Sequence, residues 1–267
     1  MATIDLNTDL GEGVSGEPGL DPAELDDLLL ESVTSANVAC GGHAGDDVSM
    51  ARVCRLAVER RVAIGAQVSY VDREGFGRTR LDVAHGTLVA QLLEQLGALR
   101  AQAVAASGSV DYLKPHGALY NAAAADAQVA RAVVDALLAD AASTGTCLPV
   151  LTLPRCQLAR SAAAHGIPVV GEAFADRAYT GDGLLLPRSQ PGAVIHDLDT
   201  VLARVVRLAR LGLVRSADGV EVPLDARSVC VHSDTPGAAR TAAAIRAALA
   251  DAGVVVQSFV VPGVEAP

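Results

Sequence analysis

The chain has 267 residues, 51 % of them hydrophobic, and a formal net charge of −10. This is a globular composition, long enough to bury a substantial core, and it excludes a disordered chain. The acidic balance argues against a nucleic-acid partner, whose phosphates want a basic face. No run of about 18 apolar residues predicts a membrane span. The five scattered cysteines suit a reducing cytoplasm and lack zinc-ribbon spacing. "MATIDLNTDLGEG" has no basic leader region, so no secretory signal is expected.

Strand-like runs alternate with helical periodicity along the chain. The predicted strands are 3–7, 35–39, 62–68, 110–114, 149–153, 167–172, 228–232 and 253–260. Between the first two, Leu25, Leu28, Leu29 and Val33 recur at helical spacing behind Asp21 as N-cap and Pro22 at the first helical position. Met50, Val53, Cys54 and Ala57 repeat the pattern after Asp46. Further stripes are Leu88, Leu92, Leu96 and Leu99, then Val194, Leu198, Val201, Val205 and Leu208. Repeated βα units imply a mostly parallel sheet covered by helices. Seven units plus one extra strand predict an α/β fold with a closed or nearly closed (β/α) TIM-like barrel, over a single domain 1–267. An open doubly wound sheet is the alternative. The barrel is favoured because polar residues gather at the C-terminal ends of the strands, where barrel enzymes place their sites.

The first strand runs through Asp5, Asn7 and Asp9, which alternation places on one face, and on to Glu12. A capped turn would use the same residue types. The second ends in "NVACGGHAGD": a glycine pair turns the chain, His43 projects from the turn, and Asp46 caps the next helix. Cys40 there reads as a small buried thiol. The third ends in a loop with Gln67, Tyr70, Asp72, Arg73 and Arg78. The fourth carries "DYLKPHGALYN" with Lys114, the only lysine in the chain. Lys114 and His116, two residues apart, share a side if the strand stays extended. They could hold an anion or lower each other's pKa toward neutrality; an ion pair at the barrel rim is the plainer role. Tyr120 and Asn121 open the next helix. The sixth strand leads to a loop crowded with Glu172, Asp176, Arg177, Tyr179, Asp182 and Arg188, and the seventh to His232, Ser233 and Asp234. Pro236 and Gly237 then start a helix whose free N–H groups would suit an anion.

Two absences narrow the chemistry. The lone lysine stands between Leu113 and Pro115, so no phosphate-binding Gly-Lys-Ser/Thr loop exists. No Gly-x-Ser-x-Gly elbow of a serine hydrolase occurs either.

Six segments in order, "IDLNTDLGE", "ANVACGGHAGD", "GFGR", "LKPHGALYN", "FADRAYTGDG" with "PRSQPGAVI", and "VHSDTPGA", resemble the LamB/YcsF family of 5-oxoprolinase A subunits over essentially the full length. The resemblance implies a deformed barrel of the glycoside hydrolase/deacetylase type, with seven or eight strands. It also implies ATP-dependent opening of the 5-oxoproline lactam to L-glutamate, with B and C subunits as partners. ATP, with Mg²⁺, would bind here or at a partner subunit, and a homo-oligomer stays open. Matching positions are Asp5, Asn7, Asp9, Glu12, Asn37, His43, Asp46, Lys114, His116, Tyr120, Asn121, Asp176, Arg177, Asp182, Arg188, His232 and Asp234. This chain has Gln67 where many members have His, and Ser233 where many have Gly.

A lactam is a poor electrophile, and phosphorylation of its oxygen would expose C5 to water. Asp9, Lys114, His116 and His43 are the expected catalytic groups. Lys114 would meet the developing oxyanion or phosphate, with Arg177 or Arg188 assisting, and His116 or Asp9 would position water. Asn7, Glu12, Asn37, Tyr120, Asn121, Asp176, Arg177, Arg188, His232 and Asp234 would bind substrate. The rival enzyme class is a deacetylase-like hydrolase with Asp9, His43 and His116 around a divalent cation. A non-catalytic substrate-binding subunit, and a lyase forming a Schiff base at Lys114, are the other readings.

Overall fold

The computed structural model describes residues 1–188 and 190–260. In chain order the elements are β1 (Thr3–Leu10), α1 (Pro22–Leu30), β2 (Ser35–Ala39), α2 (Asp47–Arg60), β3 (Ala63–Val68), α3 (His85–Ala105), β4 (Tyr112–Pro115), α4 (Gly117–Ala125) and α5 (Ala127–Thr144). They continue with β5 (Val150–Thr152), α6 (Gln157–Ala164), β6 (Val169–Phe174), α7 (Leu198–Leu211), β7 (Leu213–Arg215), β8 (Glu221–Pro223), β9 (Ser228–Val231), α8 (Ala238–Asp251) and β10 (Val255–Val256). Local signals act where the sequence places them. Asp21 accepts from the Ala23 N–H with Pro22 opening α1, and Asp46 and Ser49 form a reciprocal capping box on α2.

Strands β1 to β6 pair in sequence order, all parallel, and β9 joins β6 to β1. That last pairing closes a seven-stranded barrel and rules out the open sheet. The expected extra strand over 253–260 shortens to β10, which pairs with the first residues of β1 outside the ring. The chain beyond it turns under the barrel, where the Phe259 ring packs 5.0 Å from Tyr112. The sixth strand lies at 169–174 rather than 167–172, and β7 and β8 form an antiparallel hairpin that the sequence reading missed. Among the described residues no helix is long and apolar enough to cross a membrane.

The apolar core lies between barrel and helices. Leu6, Leu10, Val38, Ile64, Val68, Leu113, Val150 and Val229 belong to it together with Leu25, Leu29, Val53, Leu92, Leu96, Leu99, Val133 and Ile245 of the helices. At the base of the barrel Ala63, Tyr112, Leu151 and Val170 form a small apolar cluster with Phe259 and Val260 against it; above that the interior is polar, unlike the branched aliphatic layers usual in such barrels. Asp5 accepts from Thr34 and Ser35 at 2.6 and 2.7 Å, and from Ser228. Asn7 donates to Ser228 at 2.7 Å, and Asn37 donates to Asn7 Oδ1 and Asp9 Oδ1 at 2.7 and 2.8 Å. Tyr112 donates to Asn37 Oδ1 at 2.7 Å. Buried polar groups cost free energy unless paired, so this chain of bonds ties the base of the barrel to Asp9 at its mouth.

Burial pushes the Asp5 carboxyl up to about 6 despite its three hydroxyl donors. Space is equally tight: a Cβ at Gly65 would sit 2.2 Å from the Tyr112 ring, which is fully buried and cannot retreat. Gly65→Ala should therefore destabilise the fold by about 1–3 kcal/mol and loosen the Tyr112–Asn37–Asp9 chain. A thermal melt beside an activity assay checks this, with both expected to fall.

Candidate active site

The loops at the C-terminal ends of the barrel strands enclose a cavity of about 520 Å³. Of the residues singled out from sequence, Asp9, Glu12, Lys114, His116, Tyr120, Asn121, Arg177, Arg188, His232 and Asp234 line it. Asn7 and Asn37 lie beneath the floor as links of the interior chain, His43 sits behind the wall and Asp176 behind His232. Gln67, outside the candidate set, proves central to the wall. Glu172 and Arg78 were legible as polar loop residues but not as partners of Lys114 and Asp234.

Lys114 is buried, with 3 % of its surface exposed. Its Nζ lies 2.7 Å from Glu172 Oε1 and 3.4 Å from Asp9 Oδ1, and donates to Asn7 Oδ1 at 3.2 Å and Cys230 Sγ at 3.4 Å. Burial pulls the ammonium pKa down, but Asp9, with Cys230 and Glu172, outweighs it and holds the pKa well above the lysine range. The downward shift expected from a neighbouring His116 is thus reversed, because two carboxylates face this cation. Its pairing with two carboxylates weighs against the Schiff-base reading, which needs a free amine. Burial pushes Asp9 up as well, and the Lys114 ammonium leads the effects that reverse it, so Asp9 is ionised well below the usual carboxylate range.

The opposite behaviour is found at Glu12. Burial, then the charge of Asp9, pushes its carboxyl up to about 7. Tautomer bookkeeping agrees. Ser69 Oγ donates to Tyr70 O at 2.9 Å, so His43 Nδ1, 3.0 Å from that oxygen, must donate to it. Burial lowers the His43 pKa to about 4, leaving a neutral ring whose Nε2 lone pair faces Glu12 Oε1 at 3.1 Å. A proton on Glu12 satisfies both atoms.

His116 is held on every side. Its Nε2 meets Phe76 O at 3.3 Å and its Nδ1 takes an N–H from Gln67 at 2.8 Å. The ring stacks on His43 at 3.7 Å between centroids, and Phe76 packs edge-on against both. Gly77 is required here: its φ is +64°, and a Cβ would lie 2.8 Å from His43 Cβ. With both nitrogens occupied, His116 is not free to activate water. His232 is the better-placed base. Asp176 accepts from its Nδ1 at 2.7 Å, and the ring stacks on Phe174 at 5.5 Å, which orients Nε2 as the working nitrogen.

The metal-binding geometry differs from the expected Asp9, His43 and His116. The ligand-capable atoms that converge, all within 4.8 Å, belong to Glu12, His43 and His116. Asp9 is drawn instead to Lys114 and Asn37, 3.8 Å from His116. Between Glu12 and His116 stands the Gln67 amide, donating to both at 3.1 and 2.8 Å. Hydrogens pointed into that gap do not suit a cation.

Three groups that could meet a phosphate are already engaged. Lys114 is committed to carboxylates, Gly237 N–H at the start of α8 donates to Glu17 Oε1 at 2.9 Å, and Arg177 donates to the carbonyls of Ala193 and Leu186 at 3.2 and 2.5 Å. The helix start read as an anion site is therefore filled by the protein's own carboxylate, and Arg177 staples its loop. Cys40 donates to Gln67 O at 3.3 Å, and burial pushes its thiol up, so it is inert.

Lys114, at the end of its strand, is buried against two carboxylates and so bears on folding as well as on the site. Lys114→Met should cost about 3–5 kcal/mol, the scale of stranding buried charges. Lys114→Arg should also lower the melting temperature, since the larger planar head does not fit the space one ammonium fills among Asp9, Glu172, Asn7 and Cys230. Thermal melts of both variants check this, with wild-type-like melting as the contrary result.

The chain has relatives in both sequence and fold. The LamB/YcsF family matches residues 4–262. The chain is 53 % identical to the A subunit of 5-oxoprolinase from Streptomyces avermitilis over 257 residues, 96 % of this chain and 99 % of that one. A crystal structure of a lactam utilization protein from Thermus thermophilus is 38 % identical, with a TM-score of 0.86 over 96 % of this chain and 100 % of that one. A family 4 carbohydrate esterase from Streptomyces lividans, 11 % identical over 100 % of this chain and 98 % of its own, shares the fold alone at a TM-score of 0.50. Because the match takes in every barrel strand and every loop that builds the cavity, this chain belongs to the LamB/YcsF family.

Proposed function

We propose that this chain is the lactam-opening subunit of a cytoplasmic 5-oxoprolinase, converting 5-oxo-L-proline to L-glutamate with cleavage of ATP to ADP and phosphate, alongside B and C subunits. The names of its relatives, a 5-oxoprolinase A subunit and a lactam utilization protein, support the reaction class. The observation that carries the reading is one cavity that gathers an ionised Asp9, a protonated Glu12 and an aspartate-backed His232. Carboxyl groups with pKa values driven apart are the mark of divided acid and base roles.

In this proposal His232 takes a proton from water as the oxygen attacks C5, and Asp176 steadies the imidazolium that forms. As the C5–N bond breaks, Glu12 gives its proton to the leaving nitrogen. Asp9 keeps its charge throughout and orients the water. His232 then returns its proton to Glu12, directly or through solvent, and the site is restored. The proposal assigns ATP with its Mg²⁺ to a partner subunit, which would place the phosphoryl group on the lactam oxygen; ring opening in this chain then leaves an acyl phosphate, and a second water releases phosphate and L-glutamate.

Three outcomes test this. Purified alone, the chain should form little or no glutamate from 5-oxoproline with ATP, and together with the B and C subunits it should form glutamate readily. Full turnover by the isolated chain would refute the partition. Turnover by the complex should fall as pH rises through about 7, because the acid form of Glu12 is populated below that value and stripped above it. Glu12→Gln should remove that limb and lower the rate by about 10²–10⁴-fold. With Gln67 filling the gap beside Glu12, EDTA should leave activity largely intact once Mg²⁺ for ATP is restored. A requirement for added Zn²⁺ or Mn²⁺ would instead favour the deacetylase-like hydrolase.

A further inference from the structure

The cation on the floor of the cavity is enclosed by carboxylates, whereas those at the rim are not. Four cationic side chains line the cavity: Lys114, Arg177, Arg78 and Arg188. Lys114 is matched by Asp9 and Glu172 within the barrel, and Arg177 donates to backbone carbonyls of its own loop. Arg78 and Arg188 are different. Arg78, from the loop after β3, pairs with Asp234 Oδ2 from the loop after β9, and Arg188 Nη1, from the loop after β6, stands 4.0 Å from the same oxygen. Two guanidiniums therefore share the Asp234 carboxylate at the rim, with Asp176 behind them acting on Arg188. Their side chains are 52 and 46 % exposed, so donors remain open to a ligand entering the mouth.

The arrangement is preorganised on the Arg78 side. The Arg78 guanidinium lies 5.3 Å over the Phe76 ring. Its backbone N–H is bound to Gly75 O at 3.0 Å, and the neighbouring Gly77 carbonyl accepts from Ala118 at 2.8 Å. The turn that presents Arg78 is thus the turn that packs Phe76 on the His43–His116 stack. A guanidinium fork matches a carboxylate in a planar, two-bond geometry that a single ammonium cannot copy. We propose that Arg78 and Arg188, spaced by Asp234, form a clamp for a carboxylate on the substrate, which makes the site selective for lactams that carry a carboxylate beside the ring nitrogen over unsubstituted lactams. This rests on the lactam reading of the mouth and adds Arg78 as a residue that sets specificity. It also sets the orientation of the ring: carboxylate at the rim, amide toward Asp9, Glu12 and His232.

The test is calorimetric titration of the full chain with L-5-oxoproline, with 2-pyrrolidinone (the same ring without the carboxylate) and with inorganic phosphate. Wild type should bind 5-oxoproline about tenfold to a hundredfold more tightly than 2-pyrrolidinone, the scale of charge-assisted hydrogen bonds. Arg78→Gln and, independently, Arg188→Gln should shrink that ratio about tenfold. A merely structural effect lowers affinity for both lactams alike and leaves the ratio intact, which would overturn the clamp. Equal wild-type affinity for the two lactams would overturn the clamp and leave the lactam reading standing. Binding of neither would overturn both. Displacement of 5-oxoproline by phosphate at equal affinity would reassign the arginines to a phosphate group and also overturn the proposal.

Discussion

Everything at the mouth depends on one buried cation held between two carboxylates. Lys114 reaches the centre of the barrel and meets Glu172 on one side and Asp9 on the other. Burying three charges costs free energy, and only close pairing with further hydrogen bonds offsets it. For Lys114 and Asp9 these come from Asn7 and Asn37, which Ser228 and Tyr112 hold in turn, so this barrel has amides and hydroxyls where others have valine and leucine. Above the small apolar cluster at its base the interior is thereby committed to electrostatics, and the main apolar core lies in the layer between strands and helices.

The asymmetry of the site follows. Lys114 holds Asp9 ionised, and the ionised Asp9, with burial, helps keep a proton on Glu12. His43, locked into one tautomer by Ser69, then offers Glu12 a lone pair rather than a second proton. Gln67 completes the wall with two donors where a histidine ligand would have suited a metal. Across the cavity Asp176 fixes His232. Two walls with opposite proton preferences face one space, and the lysine beneath sets the contrast between them without itself handling a proton.

Much of this was legible in the sequence. The alternation in Asp5, Asn7 and Asp9 marked a shared face, the two-residue step from Lys114 to His116 placed both toward one cavity, and the caps at Asp21 and Asp46 located two helix starts. What escaped were contacts between distant strands. Nothing local to Glu172 tells that it lies against Lys114, and nothing near His43 tells that its ring stacks on His116, because barrel closure creates both contacts. Of the two roles open to Lys114, mutual pKa lowering with His116 and an ion pair with a carboxylate, the structure shows the ion pair, with carboxylates that come from other strands. Glu17 was likewise invisible as the group that fills the start of α8. The β7–β8 hairpin had a signal, the Asp218–Gly219 pair between short apolar runs, but strands of three residues are too brief to show alternation.

The uniqueness of Lys114 makes the central claim directly measurable. With ¹⁵N-lysine incorporated, the folded chain carries a single side-chain amine label. Its nitrogen resonance, followed by NMR as pH rises, reports the charge of that one group. Held between Asp9 and Glu172, the ammonium should stay protonated as the pH passes through the ordinary lysine range, with no titration step before unfolding. A midpoint at or below that range, and above all one near neutrality, would contradict the account and return Lys114 to the role of an activated amine.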